Sequence, residues 1–467
     1  MSTIQKIMTY KVALGSLMMS MCLSACSLNI PLEDEYSDPD AVATVENARS
    51  LLTSGYIAYP HYEYEFSVLG PDFCPTSLLG KDSDLKNLYN WQDNAINKLS
   101  EGMWLDLYYV ISVCDILQER LPMVTIENEA DQKEWDAIRA ESLTLEAMSY
   151  FNLLRIFAPA YDQNPSGEGI VLKNRIGVEF PKRSSKEDCV KYIRGLLQEA
   201  ALVDHEAERN GWLSQTAAQY LQAELELYAG NYAAAAEYAE AVLKKSSDVF
   251  FIKMGYRSLW EEPSCMERIF AWNLYQPIYV SLEYDREQGD YLMVSPEITY
   301  NGEDYREEFN CYPFTMEGEE RNLFGKYNLN NKTGRKNTYL NAMRYSGAYF
   351  IAAEAYSHLE GMGGKARQLM NEYLEYCHAE LLPETLDGDA LTQAIIQEKL
   401  KEFVGEGVVY FDYKRLHRQS LPRYNKWGKM TTTQIDKDNY RWTFPIPKSE
   451  YKNNQNVNQN EGWPMTR

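Results

Sequence analysis

The chain has 467 residues, 45% of them hydrophobic, and sets 68 acidic side chains against 46 lysines and arginines, a formal charge of -22. That balance argues against nucleic acid as a partner, because such binding depends on lysine and arginine neutralising phosphates. There is ample material for a buried core, in one extended domain or two compact ones.

Residues 1 to 11 carry Lys6 and Lys11 and no acid, and residues 12 to 23, VALGSLMMSMCL, form an apolar run too short to cross a bilayer as a helix. Leu23, Ser24 and Ala25 then precede Cys26. Small residues fit the peptidase of bacterial lipoprotein processing, and the thiol takes the lipid. Residues 1–25 therefore read as a lipoprotein signal peptide and Cys26 as the lipidated first residue of the mature chain. The alternative is a plain secretory signal that contains a cysteine. With two or more acyl chains the anchoring is stable, since each buried methylene contributes about 0.8 kcal/mol. Residues 26–40, with prolines among acids, read as a tether.

Helical patterning starts near Ala41 and runs toward Tyr56. It resumes from Glu101 and again over Asp131–Phe157, where Ile138, Leu145, Met148 and Phe151 make one stripe and Leu143, Ala147, Tyr150, Leu154 and Phe157 a second. A helix with two stripes packs on more than one side. Ser184 or Ser185 caps the next helix. Then two helices meet at Gly230-Asn231, and a second such pair turns at Gly361; an alanine follows each glycine by five residues, Ala235 and Ala366. Such repetition predicts tetratricopeptide-type pairs, which stack because no single pair buries its own apolar face; two unrelated helical hairpins are the alternative.

Between these pairs the periodicity dissolves. Helical repeats are expected over about 41–58, 98–245 and 340–380, and irregular, aromatic-rich excursions over about 60–97, 250–340 and 416–467. The fold class is mostly α: a helical-repeat scaffold with long loop-rich insertions, forming a single domain over 41–467. Beyond Cys22 and Cys26, six cysteines lie far apart with no C-x-x-C, so they form either unreadable disulfides or buried thiols. The histidines show no metal-ligand spacing, and neither metal nor cofactor is expected.

Several separated motifs resemble the SusD/RagB-like outer-membrane lipoproteins of Bacteroidetes. RAESLTLEAMSYFNLLRIF, through Arg139, Ala140, Glu141, Ala147, Tyr150, Phe151, Asn152, Leu153 and Arg155, is similar to a family helix, and LYAGNYAAAAEYAEAVL to a family repeat. IIQEKLKEFVGEGVVYFDYKRL matches through Glu398, Lys399, Glu402, Phe403, Glu406, Gly407, Phe411, Asp412 and Arg415. FPIPKSEYKNNQNVNQNEGW matches through Pro445, Ile446, Pro447, Glu450, Gln459, Asn460, Gly462 and Trp463. Departures at Glu146, Val409 and the FAPAYD stretch put particular internal ion pairs in doubt. The Glu406, Asp412 and Arg415 cluster reads as a structural ion-pair and capping network rather than a catalytic one.

The resemblance implies a protein lipid-anchored at the outer membrane and facing the cell exterior. It would capture a glycan, or in some members a peptide, and pass it to a SusC-like TonB-dependent transporter. Sugars present apolar faces ringed by hydroxyls, so a site needs aromatic platforms with polar groups at the edge. Trp91, Trp272 and Tyr275, with Tyr64 and Asp72, are the expected ligand residues. No nucleophile elbow, P-loop or dinucleotide fingerprint occurs, and no catalytic residue is assigned. A non-catalytic adhesin or scaffold is a further alternative, because solenoids commonly bind proteins.

Overall fold

The computed structural model describes residues 42–173, 176–206, 211–246, 253–274, 291–316, 318–326, 339–417 and 420–465. Cys26, the signal peptide and the tether, and Tyr275, lie outside the described residues. The first helix, α1 (Val45–Ala58), is capped by Thr44, whose side chain accepts from Asn47 N. After it come α2 (Glu63–Leu69), strand β1 (Phe73–Pro75) and α3 (Ser83–Tyr89). The first excursion is thus partly helical, because Asp82 caps α3 through its side chain and the run is too short for periodicity to show. α4 (Asp93–Arg120) begins earlier than the apolar stripe from Glu101 suggests.

α5 (Glu129–Phe157) starts at Asn128, whose side chain accepts from the Ala130 and Asp131 amides at 2.9 and 3.0 Å. Both of its apolar stripes are buried: α4 and α1 pack on one side and α6 (Lys186–Ala200) on the other. Ser185 supplies the α6 cap, accepting from Asp188 N at 3.0 Å. Glu146 takes a neutral network instead of an ion pair, accepting from Gln118 at 2.6 Å and from the Tyr192 hydroxyl at 2.9 Å. Burial pushes its carboxyl up to about 7.

The repeated pairs follow: α7 (Gln215–Tyr228) with α8 (Tyr232–Lys244), then α9 (Lys253–Glu261). Next come β2 (Arg268–Asn273), β3 (Leu292–Val294), α10 (Arg306–Asn310), β4 (Cys311–Met316), β5 (Glu319–Phe324) and β6 (Tyr339–Arg344). The second pair is α11 (Tyr345–Ser357) with α12 (Gly363–Cys377). α8 packs directly on α11, so the two pairs stack across the intervening strands. Small residues permit the close approach: Ala235, Ala239, Ala348, Ala352 and Ala355 are all fully buried. Gly230 and Gly361 hold φ of 72° and 74°, the left-handed geometry that ends each first helix.

The strands form a layer against the scaffold: a four-stranded antiparallel sheet in the order β1-β3-β5-β4 and a β2-β6 pair. α13 (Gly388–Glu402) and α14 (Val409–Leu416) lead to a hairpin of β7 (Leu421–Tyr424) and β8 (Met430–Ile435), and α15 (Lys448–Asn453) follows. The C-terminal segment closes the scaffold. Lys414 donates to Arg155 O at 2.7 Å, Phe444 N donates to Ile156 O at 3.1 Å, and the Asn460 amide donates to Phe157 O at 2.8 Å, satisfying carbonyls at the end of α5 that no helical partner reaches.

Ion pairs stitch the layer to the scaffold. Arg344 reaches Glu402 at 2.8 Å and Glu406 at 2.9 Å, Lys326 reaches Glu406 at 2.7 Å, and Arg306 reaches Asp304 and Glu398 at 2.7 Å. The expected single cluster is therefore two: Arg415 holds Asp412 at 2.7 Å and Glu354 at 2.6 Å, apart from Glu406. The six cysteines of the described residues are buried thiols joined by no disulfide. No helix of the described residues is long and apolar enough to cross a membrane.

Candidate ligand site

Burial separates the expected ligand residues. Trp91 is 2% exposed; its Nε1 donates to Leu69 O at 2.9 Å and its ring meets Trp442 edge-on at 4.6 Å. Asp72 is fully buried and accepts from Gly405 N at 2.8 Å, and burial pushes its carboxyl up to about 7. Trp272 stacks on Tyr59 at 4.6 Å and meets Phe270 edge-on at 4.8 Å, with 6% of its surface exposed. These three are corrections to the expected site. Rings adjoining tight turns and strands went into the core, and the carboxylate became a clamp on the 405–407 turn.

Tyr64 is different. It is half-buried and lines a groove of about 300 Å³ between α2, α3 and the first turns of α4. Leu85, Leu88 and Leu99 supply the apolar floor, and Asp82, Asn87, Asn94 and Lys98 the polar edge. The edge is placed by ordinary helix grammar. Asp82 is fixed by capping, accepting from Leu85 N at 3.0 Å, while Asn94 and Lys98 stand one turn apart on α4. Lys98 Nζ lies 3.0 Å from Asp84 across the groove, both side chains 77% exposed, a pair that contributes little to stability and opens readily. Glu65 also lines the groove, and burial beside Glu63 lifts its carboxyl to about 7. An apolar floor with a tyrosine and a ring of amide, carboxylate and ammonium groups suits a neutral, hydroxyl-rich ligand. With three carboxyl groups against one lysine, an anionic ligand is disfavoured.

Trp427 was not among the expected residues. It stands at the tip of the β7–β8 hairpin with 41% of its surface exposed. The turn fixes it: the Asn425 side chain accepts from Trp427 N at 2.9 Å and Lys429 N at 3.1 Å. Lys426 Nζ lies 4.4 Å and Arg321 Cζ 5.5 Å from the ring centroid. The signal was legible: Asn425 and Gly428 bracket Trp427 between two short strand-like runs, which is hairpin-turn chemistry, and a turn tip projects its side chains outward.

Residues 260–463 match the family model of the SusD family. That span takes in the Glu398–Arg415 and Pro445–Trp463 motifs and leaves the Arg139–Arg155 helix outside it. The fold is similar to that of a SusD-like carbohydrate binding protein from Bacteroides vulgatus, with a TM-score of 0.74, 18% identity, and coverage of 89% of this chain and 97% of the other. It is also similar to a SusD superfamily protein from Bacteroides thetaiotaomicron, with a TM-score of 0.73, 21% identity, and coverage of 91% and 100%. A SusD superfamily protein from Bacteroides fragilis gives 0.72, 18%, and 90% and 100%. No curated protein matches the chain.

Proposed function

For a SusD-like chain, with that fold over nine-tenths of its length and a family match over 260–463, we propose a non-catalytic role in carbohydrate capture. The protein binds an oligo- or polysaccharide at the bacterial surface and delivers it to a SusC-like TonB-dependent transporter. Lipid on Cys26 holds it at the outer membrane, facing the exterior. The observation that carries this reading is the Tyr64 groove, an apolar floor edged by capping and amide side chains between α2, α3 and α4. The similarity to a SusD-like carbohydrate binding protein from Bacteroides vulgatus supports the same class.

Calorimetric titration of the detergent-solubilised protein against host, plant and microbial glycans, with a peptide digest in parallel, tests it. Saturable binding of one neutral glycan class is expected, weakened about tenfold or more by Tyr64→Ala. Glycan binding that survives Tyr64→Ala but is lost in Trp427→Ala moves the site to the hairpin tip. Binding of the digest alone identifies a peptide-capturing protein. Silence in both panels favours an adhesin or scaffold.

A further inference from the structure

An interior cleft lies apart from both the groove and the hairpin. A space of about 110 Å³ runs between α5, α7 and the turn leading into α14, and a second of about 50 Å³ continues it toward Lys399 and Asp412. Phe151, Arg155, Glu224, Val408 and Phe411 line both. Tyr62 and Glu63, each partly exposed, line the larger space as well and give it an outer end.

Two opposite charges face this cleft with no hydrogen bond or close ion pair to hold them. Arg155 comes from the last turn of α5, with its guanidinium 4.1 Å over Phe411 and 5.3 Å over Phe151, and its Nε is buried with no hydrogen-bond partner. Glu224 comes from the facing side of α7, and among the described residues no hydrogen bond or ion pair holds its carboxylate. Burial lifts that carboxyl above its ordinary value, and Arg155 and then Lys399 pull it back. The neighbouring cations have their own anions: Lys399 holds Asp412 at 2.9 Å, and Arg415 holds Glu354 and Asp412. Both side chains are half-buried, and a cation and an anion set apart with no hydrogen bond between them across an aromatic-walled space offer complementary ends to a ligand that carries both charges.

We propose that this cleft binds a free α-amino acid with a small apolar side chain, its carboxylate on the Arg155 guanidinium and its ammonium on Glu224. The guanidinium fork matches a carboxylate, and the phenyl faces of Phe151 and Phe411 take the side chain. Size agrees for the two continuous spaces together, about 110 and 50 Å³: a cavity of about 150 Å³ accepts benzene, six heavy atoms, and alanine has the same number. This site is independent of glycan capture at the Tyr64 groove.

The test is calorimetric titration of the full-length protein with glycine, L-alanine and L-leucine, with acetate and methylamine as the two halves of the zwitterion. Saturable binding of alanine is expected, about tenfold or more weaker in Glu224→Gln and in Arg155→Gln, with each half-ligand weaker still. Melting curves check both variants for folding. If Arg155→Gln does not fold, Arg155→Lys keeps the charge without the fork and is expected to weaken alanine binding. Absence of saturable heat from all three amino acids at millimolar concentration, as for a cleft that holds only water, overturns the proposal. So does alanine binding that both charge variants leave unchanged, or acetate binding as tight as alanine.

Discussion

Trp91 adopts a φ of 54°, rare for a large side chain, and that backbone turn swings its indole under β7, where Arg423 lies 5.9 Å from the ring. An indole in the sequence announces apolar area and one polar handle but not the direction it faces. Trp91 and Trp272 spend that area inside, while Trp427 keeps 41% of its surface in solvent because a side-chain-locked turn holds it there. Residue type was therefore legible and residue placement was not; only turn chemistry, as at Asn425, could have separated them. Trp91→Ala is expected to destabilise the protein by about 3–5 kcal/mol in a denaturant titration, because it empties a fully packed site. Lys98→Ala, at the rim of the groove, should leave the unfolding midpoint nearly unchanged, within about 0.5 kcal/mol.

At the scale of elements, the apolar stripes of α5 and the glycine-alanine spacing of the two pairs were readable because they repeat over several turns, and the structure stacks those pairs directly. The irregular layer was not. Its strands are three to six residues long, and apart from the local β4–β5 hairpin they pair across large sequence separations, β1 with β3 and β2 with β6, where nothing local specifies the partner. Nor could local pattern show that Glu406 would leave Arg415 for Arg344 and Lys326. Two glycines distinguish conformational from steric demand within the stacked pairs. Gly230 has open space around the place a Cβ would occupy, and its φ of 72° alone opposes substitution, so Gly230→Ala is expected to destabilise by about 1 kcal/mol. A Cβ on Gly347 in α11 would run into the Tyr220 hydroxyl of α7. Gly347→Ala should lower stability by about 1–3 kcal/mol by prising the two pairs apart, and Gly347→Ala combined with Tyr220→Phe should recover part of that loss by chemical denaturation.

For the whole molecule, burial sets a pH profile unlike that of most acidic proteins. Burial raises Glu65, Asp72, Glu146 and Glu267 to about 7. Between the unfolded carboxylate values and about 7 the folded state binds more protons than the unfolded one, so these four groups make stability fall as pH rises through that window. Buried Lys414 and Lys326 and the half-buried His417, pushed below their ordinary values, work in the opposite direction, while burial raises Asp115, Glu141 and Glu224 alongside the four. On the acid side, burial alone would raise Glu354, but Arg415 overrides it and holds the carboxyl at about 2. Glu402 is likewise lowered against burial by Arg344 and then Arg306. Their contribution is full above the unfolded carboxylate values and disappears as pH falls through their lowered folded values. Thermal unfolding should thus peak near pH ~5, with a lower Tm at pH ~8 and a steep decline below pH ~4; a Tm that climbs steadily from pH ~5 to ~8 would contradict these assignments. The end of α5 carries one more consequence. Its last carbonyls are met by Lys414, Phe444 and Asn460, the farthest of them 303 residues downstream of the carbonyl it caps. Arg183 reaches the Phe157 carbonyl at 3.3 Å, but the Arg155 and Ile156 carbonyls wait for Lys414 and Phe444. A chain emerging amino end first therefore completes that helix terminus only late in synthesis, and products truncated before Lys414 are expected to be cut faster by added protease.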